Sequence, residues 1–226
     1  MANRTAQGDI MNKIVTATLA AFIVLTTTSA FAGSGNFGIN VFGGIPFHAA
    51  QTGVRSNTVQ YTDTDFDGLS SITGATLIRM SKNTRWLGVE LSARKFSMDL
   101  TVAGENYGKL NLVPVTLSLR FQGRPEKAGW GSQFAMGMGL SLNSFDKSTY
   151  LAALENSRQD LNFDVTSSFV FSAEYGISYY FTKSLAMNTN IMWMANTPYI
   201  KNLYGLTDTY MNSHTFQLCF GLTCWM

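Results

Sequence analysis

The sequence predicts an all-β protein: an eight-stranded antiparallel transmembrane β-barrel with short periplasmic turns at one end and longer extracellular loops at the other. Three observations carry this. Apolar and polar residues alternate over long stretches, the pattern of a strand whose two faces meet different surroundings. Charged residues make up 13% of the 226-residue chain, about half the share of roughly 25% usual in soluble proteins, while 46% is hydrophobic. Mean hydropathy is nevertheless only +0.05, so the apolar residues are spread out rather than gathered into membrane helices.

One apolar block stands apart. Residues 11–32 read MNKIVTATLAAFIVLTTTSAFA, with Lys13 as a short positive region, an apolar run over 14–25, and the small-x-small sequence Ala30-Phe31-Ala32. This is the pattern of a secretory signal peptide, and the run is too short to span a membrane as a helix. Residues 1–10 precede Met11 as a start-site extension. The expected organisation is therefore a leader over 1–32 and a single barrel over 33–226. Without the leader the chain is nearly neutral, which argues against nucleic acid as a partner. An exported chain with no second apolar run can enter a membrane only by strands.

The strands follow in order. In residues 36–47, Phe37, Ile39, Val41, Ile45 and Phe47 share one face. Residues 71–80 (SITGATLIRM) alternate less cleanly, but their β-branched content suits a strand. In 85–98, Leu87, Val89, Leu91 and Ala93 oppose Gly88, Glu90, Ser92 and Arg94. In 112–122, Val113, Val115, Leu117, Leu119 and Phe121 oppose Pro114, Thr116, Ser118, Arg120 and Gln122. Residues 132–143 set Phe134, Met136, Met138, Leu140 and Leu142 against Gln133, Ala135, Gly137, Gly139 and Ser141. Residues 168–181, 185–196 and 214–226 repeat the pattern, with Glu174, Asn188, Asn190, Met192 and Gln217 on the less apolar side. Short connections (81–84, 123–129, 182–184) follow strands two, four and six. Long polar ones (48–67, 99–107, 146–162, 198–211) follow strands one, three, five and seven, with a brief helix expected over 150–160. That is the plan of an outer-membrane barrel. A soluble β-sandwich also alternates. However, the second face here is rich in Gly, Ser, Thr and Asn, which suits a polar lumen. Aromatic residues at strand ends (Trp86, Trp130, Tyr179, Tyr180, Phe181, Trp193) suit an interfacial girdle.

Eight strands leave a lumen that side chains nearly fill. A charge buried there needs a partner. The expected lumen network is Arg79, Glu90, Arg94, Arg120 and Glu174, beside Gln133 and Gln217. Folding strands three and four about residue 104 sets Glu90 opposite Arg120, so the two are expected to pair as an ionic plug.

No catalytic or metal constellation emerges, and the reading calls for no enzyme activity and no cofactor. The two histidines, His48 and His214, lie near predicted loops. Ser213 adjoins His214, but neighbours on a strand point apart. Neither G-x-S-x-G nor H-E-x-x-H occurs. The aspartates of YTDTDFDG (61–68) lack the later glutamate of a calcium loop and read as a solvated loop. Cys219 and Cys224 lie five apart on opposite faces of one strand, about 16 Å from each other, too far for a disulfide.

The order of motifs resembles the OmpW family of small outer-membrane barrels. GATLIRMSKNTRWLGVELSARKF is similar to the family's second hairpin, and LNLVPVTLSLRFQ to its central strand, with Pro114 and Phe121 in place. FAMGMGLSLNSFD and AEYGISYYFTKSLAMNTNIMWM resemble later segments in the same order. The chain departs from the usual aromatic C-terminus by ending Trp225-Met226. The resemblance implies a monomeric barrel whose narrow hydrophobic passage opens sideways and lets small hydrophobic molecules cross the outer membrane. It implies Leu77, Trp86, Met192 and Met194 as lining residues. Implied partners are outer-membrane lipids, small hydrophobic solutes, periplasmic chaperones and the barrel-assembly machinery. The alternative reading is a structural or adhesive barrel with a closed, ion-paired lumen.

Overall fold

The computed structural model describes residues 36–55, 60–61, 64–67, 70–84, 86–102, 104–125, 127–158, 163–201 and 209–226, with side chains described outside 48–67, 102 and 199–212. The expected leader over 1–32, the side chain of His48 and the side chains of the 61–68 segment lie outside these limits.

Eight strands form the wall: β1 (Phe37–Arg55), β2 (Ile72–Met80), β3 (Leu87–Val102), β4 (Glu105–Gln122), β5 (Gly129–Lys147), β6 (Ser168–Tyr180), β7 (Leu185–Asn196) and β8 (Thr209–Trp225). Each pairs antiparallel with the next in the chain. β8 pairs with β1, from Gly38 against Trp225 to Arg55 against Tyr210, and this closes the sheet into a barrel. Closure leaves none of these eight strands at an open edge, the condition for strands to cross lipid.

The outward row matches the alternation in the sequence. Val41, Leu117, Trp130, Leu140 and Leu222 are among the large apolar side chains exposed on the outside, Trp130 to 69%. A soluble domain does not present such a band, and it is the lipid-facing surface. Trp130 meets Tyr179 at 5.1 Å between ring centroids, Tyr179 meets Phe181 at 5.3 Å, and Trp86 stacks on Phe121 at 5.8 Å, forming a girdle at the short-turn end.

The structure departs from expectation at the connection over 99–107. β3 and β4 run on to Val102 and Glu105, and the chain reverses at Gly104, whose φ of 82° suits a residue without a Cβ. The alternation does not stop there but changes phase. Along β3, Val89 and Leu91 point outward, whereas Phe96, Met98 and Leu100 point inward and are buried. Along β4, Leu110 and Leu112 are buried, whereas Leu117 and Leu119 are exposed. Outside the upper part of this hairpin the side chains are polar: Asn111 donates to Asp146 at 2.8 Å and Lys109 lies 3.8 Å from Asp99. The wall of this hairpin is thus apolar outside and polar inside in its lower part, and the reverse toward Gly104.

The expected helix forms as α1 (Thr149–Ser157). Ser148 caps it, accepting from the Leu151 N–H at 3.1 Å and donating to the Asn106 carbonyl at 2.7 Å. Leu151 is fully buried in the apolar interior beneath the helix.

Candidate functional site

The lumen divides into three layers. The middle layer is a belt of buried charges and amides. Arg120 donates to Glu90 Oε2 at 2.5 Å, to Gln122 Oε1 at 2.9 Å, and to Gln133 Oε1. Arg94 Nη2 donates to Glu174 Oε2 at 2.8 Å. Both arginine side chains are 2% exposed, so these pairs are walled off from solvent. Gln133 also donates to Asn190, and Asn188 donates to Asn40 at 3.0 Å and to Thr223 at 2.9 Å. This web draws on seven of the eight strands across the lumen and satisfies most of the groups that burial would otherwise leave bare. Glu90 and Arg120 are not direct cross-strand partners: Glu90 faces Ser118, and Arg120 faces Gly88. They meet diagonally, because the long arginine reaches the next rung while glycine and serine leave space.

Toward the loop end lies an apolar layer. Phe42, Ile72, Phe96, Met98, Leu100, Tyr107, Leu110, Leu112, Val170 and Met194 form one buried cluster, closed above by Leu151 and Phe163. Arg94 marks its floor, with its guanidinium carbon 5.4 Å from the centre of the Phe42 ring.

Toward the turn end lies a smaller apolar seal of Ile78, Met80, Tyr180, Ala186 and Trp225. Tyr180 accepts from Gln122 at the edge of the belt. The Trp225 ring lies under Arg124, 4.0 Å from its guanidinium carbon, and Gly38 leaves room for the indole. Arg124 in turn donates to the Lys183 carbonyl at 3.0 Å.

The wall has one weak place beside the loop-end cluster, two rungs long. On the β3–β4 ladder Ala93 pairs with Val115 and Phe96 with Leu112, but no pairing joins Arg94 to Pro114 or Lys95 to Val113. The register is continuous across the gap, so this is not a bulge. Both missing rungs need the N–H that proline lacks. On its other side Pro114 keeps its partner Ser141 on β5.

Of the residues expected to act in the lumen, the structure brings Glu90, Arg94, Arg120 and Glu174 together. It places three others elsewhere. Arg79 pairs across the strands with Phe37 and Val89 and points outward, because β2 is half a period out of step with the earlier reading. Ile78 and Met80 are its buried neighbours. Leu77 shares that outward row between Ile39 and Leu91 and faces lipid. Trp86 lies in the turn before β3 and is 56% exposed in the girdle. Met192 and Met194 do point inward, at 0% and 1% exposure. Tyr180, expected in the girdle, faces the lumen. The reading also missed Phe42, Phe96 and Met98. The signal that would have found Phe96 and Met98 is the change of apolar phase after Arg94.

Cys219 is buried and Cys224 exposed, on opposite faces of β8. Ser213 points inward, while the His214 ring stacks on Trp193 at 5.9 Å. Among the described residues no group of His, Cys, Asp and Glu could hold a metal ion.

No protein-family model matches the chain, and no curated protein matches it in sequence. Solved structures do match its fold. The crystal structure of the outer membrane protein OprG from Pseudomonas aeruginosa superposes with a TM-score of 0.62 at 16% identity, over 84% of this chain and 96% of that one. The solid-state NMR structure of outer membrane protein AlkL in DMPC lipid bilayers gives 0.57 at 12% identity, over 84% and 90%. The solution NMR structure of the Escherichia coli outer membrane protein W gives 0.52 at 16% identity, over 86% and 100%. The closed wall, the apolar outer band and these likenesses agree: the chain has the eight-stranded barrel fold of OmpW- and OprG-type outer-membrane proteins.

Proposed function

We propose that this barrel sits in the outer membrane and assists the passage of small hydrophobic molecules across it. The observation that supports this best is the cluster of buried apolar side chains at the loop end, which a solute would part to make a chamber, set on a floor of buried ion pairs. A hydrophobic solute gains about 25 cal/mol for each Å² it removes from water, so the chamber favours it. The belt does not, since displacing hydrogen-bonded charges by hydrocarbon is costly. With Trp225 and Arg124 closing the turn end, a straight path to the periplasm is blocked twice. The gap at Pro114 lies beside the chamber floor and supports a sideways exit into lipid.

Vesicles test this. A fluorescent-quench assay of nonane-like solutes should show faster entry with the refolded barrel than without it. A second reading, a structural or adhesive barrel with a sealed lumen, is favoured by the same belt and the Trp225 seal. It expects identical entry in both vesicle preparations.

A further inference from the structure

We propose that the molecules taken up carry one uncharged, oxygen-bearing head on an apolar body, and that Arg94 receives the head at the chamber floor. The inference deepens the passage reading and rests on it.

Arg94 is the only guanidinium among the described residues that borders both the belt and the apolar chamber. One of its nitrogens, Nη2, is occupied by Glu174. Nε and Nη1 are buried and have no acceptor among the described residues. Thr116 adds a second open group: it faces Ser92, two rungs from Arg94 on the same pair of strands, and its buried Oγ1 is without a partner among the described residues. Buried donors are nearly always satisfied, so unsatisfied ones at the foot of an apolar chamber mark a place where an acceptor is wanted.

Charge decides which acceptor. Arg94 and Arg120 are matched by Glu174 and Glu90, so the belt is already balanced. A carboxylate head would bury an extra charge. A plain hydrocarbon would leave the donors bare. An uncharged carbonyl or hydroxyl satisfies them at no cost in charge, which points to ketones, aldehydes, esters and alcohols of medium chain length. The body has adaptable surroundings: Met98, Met192 and Met194 are all buried around the floor, and their unbranched thioether chains can part without moving the wall.

Binding in lipid nanodiscs, corrected for empty discs, tests this with 2-octanone, nonane and octanoate. In the wild type, 2-octanone should shift the Arg94 Nε–H resonance and nonane should not. The double variant Arg94→Met/Glu174→Met removes both charges together, an exchange that buried pairs tolerate. It should weaken 2-octanone about tenfold or more and leave nonane within about twofold. Glu174→Gln, which keeps Arg94 but leaves its charge unmatched, should turn the preference toward octanoate. Equal losses for 2-octanone and nonane in the double variant, or an octanoate preference in the wild type, would overturn the assignment. Nonane entry into vesicles separates the two ideas. If the barrel fails to speed it, the passage reading falls while the head-group comparison still decides Arg94. If it does speed it but the comparison shows no head-group effect, only the Arg94 assignment falls.

Discussion

Substituting Glu90 removes the charged partner of Arg120, one of the most connected residues of the belt. Arg120 is 2% exposed and has one charged acceptor, Glu90, beside the neutral carbonyls of Gln122 and Gln133. Glu90→Ala therefore leaves a guanidinium charge buried with only amide oxygens around it. Removing one partner of a buried pair costs about 3–5 kcal/mol, whereas an exposed pair is worth about 0–1 kcal/mol. With a urea dependence of about 1–3 kcal/mol per molar, the unfolding midpoint in vesicles should fall by roughly 1–5 M. Glu90→Gln keeps the shape of the side chain and loses the charge, so it should show most of the same loss. Glu90→Leu/Arg120→Met removes both charges and should recover most of it, because the desolvation of each ion disappears with the ion. Planar-bilayer conductance supplies a second readout: the wild-type barrel should conduct poorly, and Glu90→Ala, which removes part of the plug, should conduct more. The reasoning is refuted if Glu90→Ala unfolds within about 1 kcal/mol of the wild type, the behaviour of a solvent-screened pair.

Other outcomes follow from the geometry. Pro114→Ala restores the missing N–H, so the two absent β3–β4 rungs should form and vesicle entry of a hydrophobic solute should slow, with protection of nearby amides in hydrogen exchange as the check. Gly139→Ala drives a Cβ into the Val115 carbonyl and should destabilise the barrel by about 1–3 kcal/mol in the same urea titration, while Gly43→Ala, whose nearest neighbour would lie 3.6 Å away, should be nearly silent. Trp225→Ala empties the turn-end seal and should cost about 3–5 kcal/mol. Its conductance should stay low by itself, because the belt still stands, and should rise beyond that of Glu90→Ala when the two substitutions are combined.

Much of this was legible in the chain. The period of two along β3 to β8, and the alternation of short and long connections, depend only on which residues follow which, and they predict eight strands and a closed wall. The burial of Glu90 and Arg120 followed in the same way, because a residue's face is set by parity within its strand. Parity is also where the reading broke down. In β2 the sequence TGATLIRM is apolar on both faces near its end, so it offered no phase, and Arg79 and Leu77 were assigned to the lumen when the ladders with β1 and β3 turn them outward. Trp86 lies in a turn, where alternation does not apply.

What the sequence determined by itself is the kind of wall: strands, their number, and an apolar face long enough to meet lipid. Tertiary structure alone decided where that face ends. Above Arg94 the same strands continue with apolar residues turned inward, and only closing the barrel shows that these residues from separate strands meet as one buried cluster. It also decided that Glu90 finds Arg120 diagonally, that Trp225 from the last strand seals the turn end, and that the rungs missing at Pro114 lie beside Arg94. The physical reason is that a face is a local property, set by alternation within one strand, whereas a lumen is shared among strands far apart in sequence. Its contents depend on the register that closure imposes on all of them together.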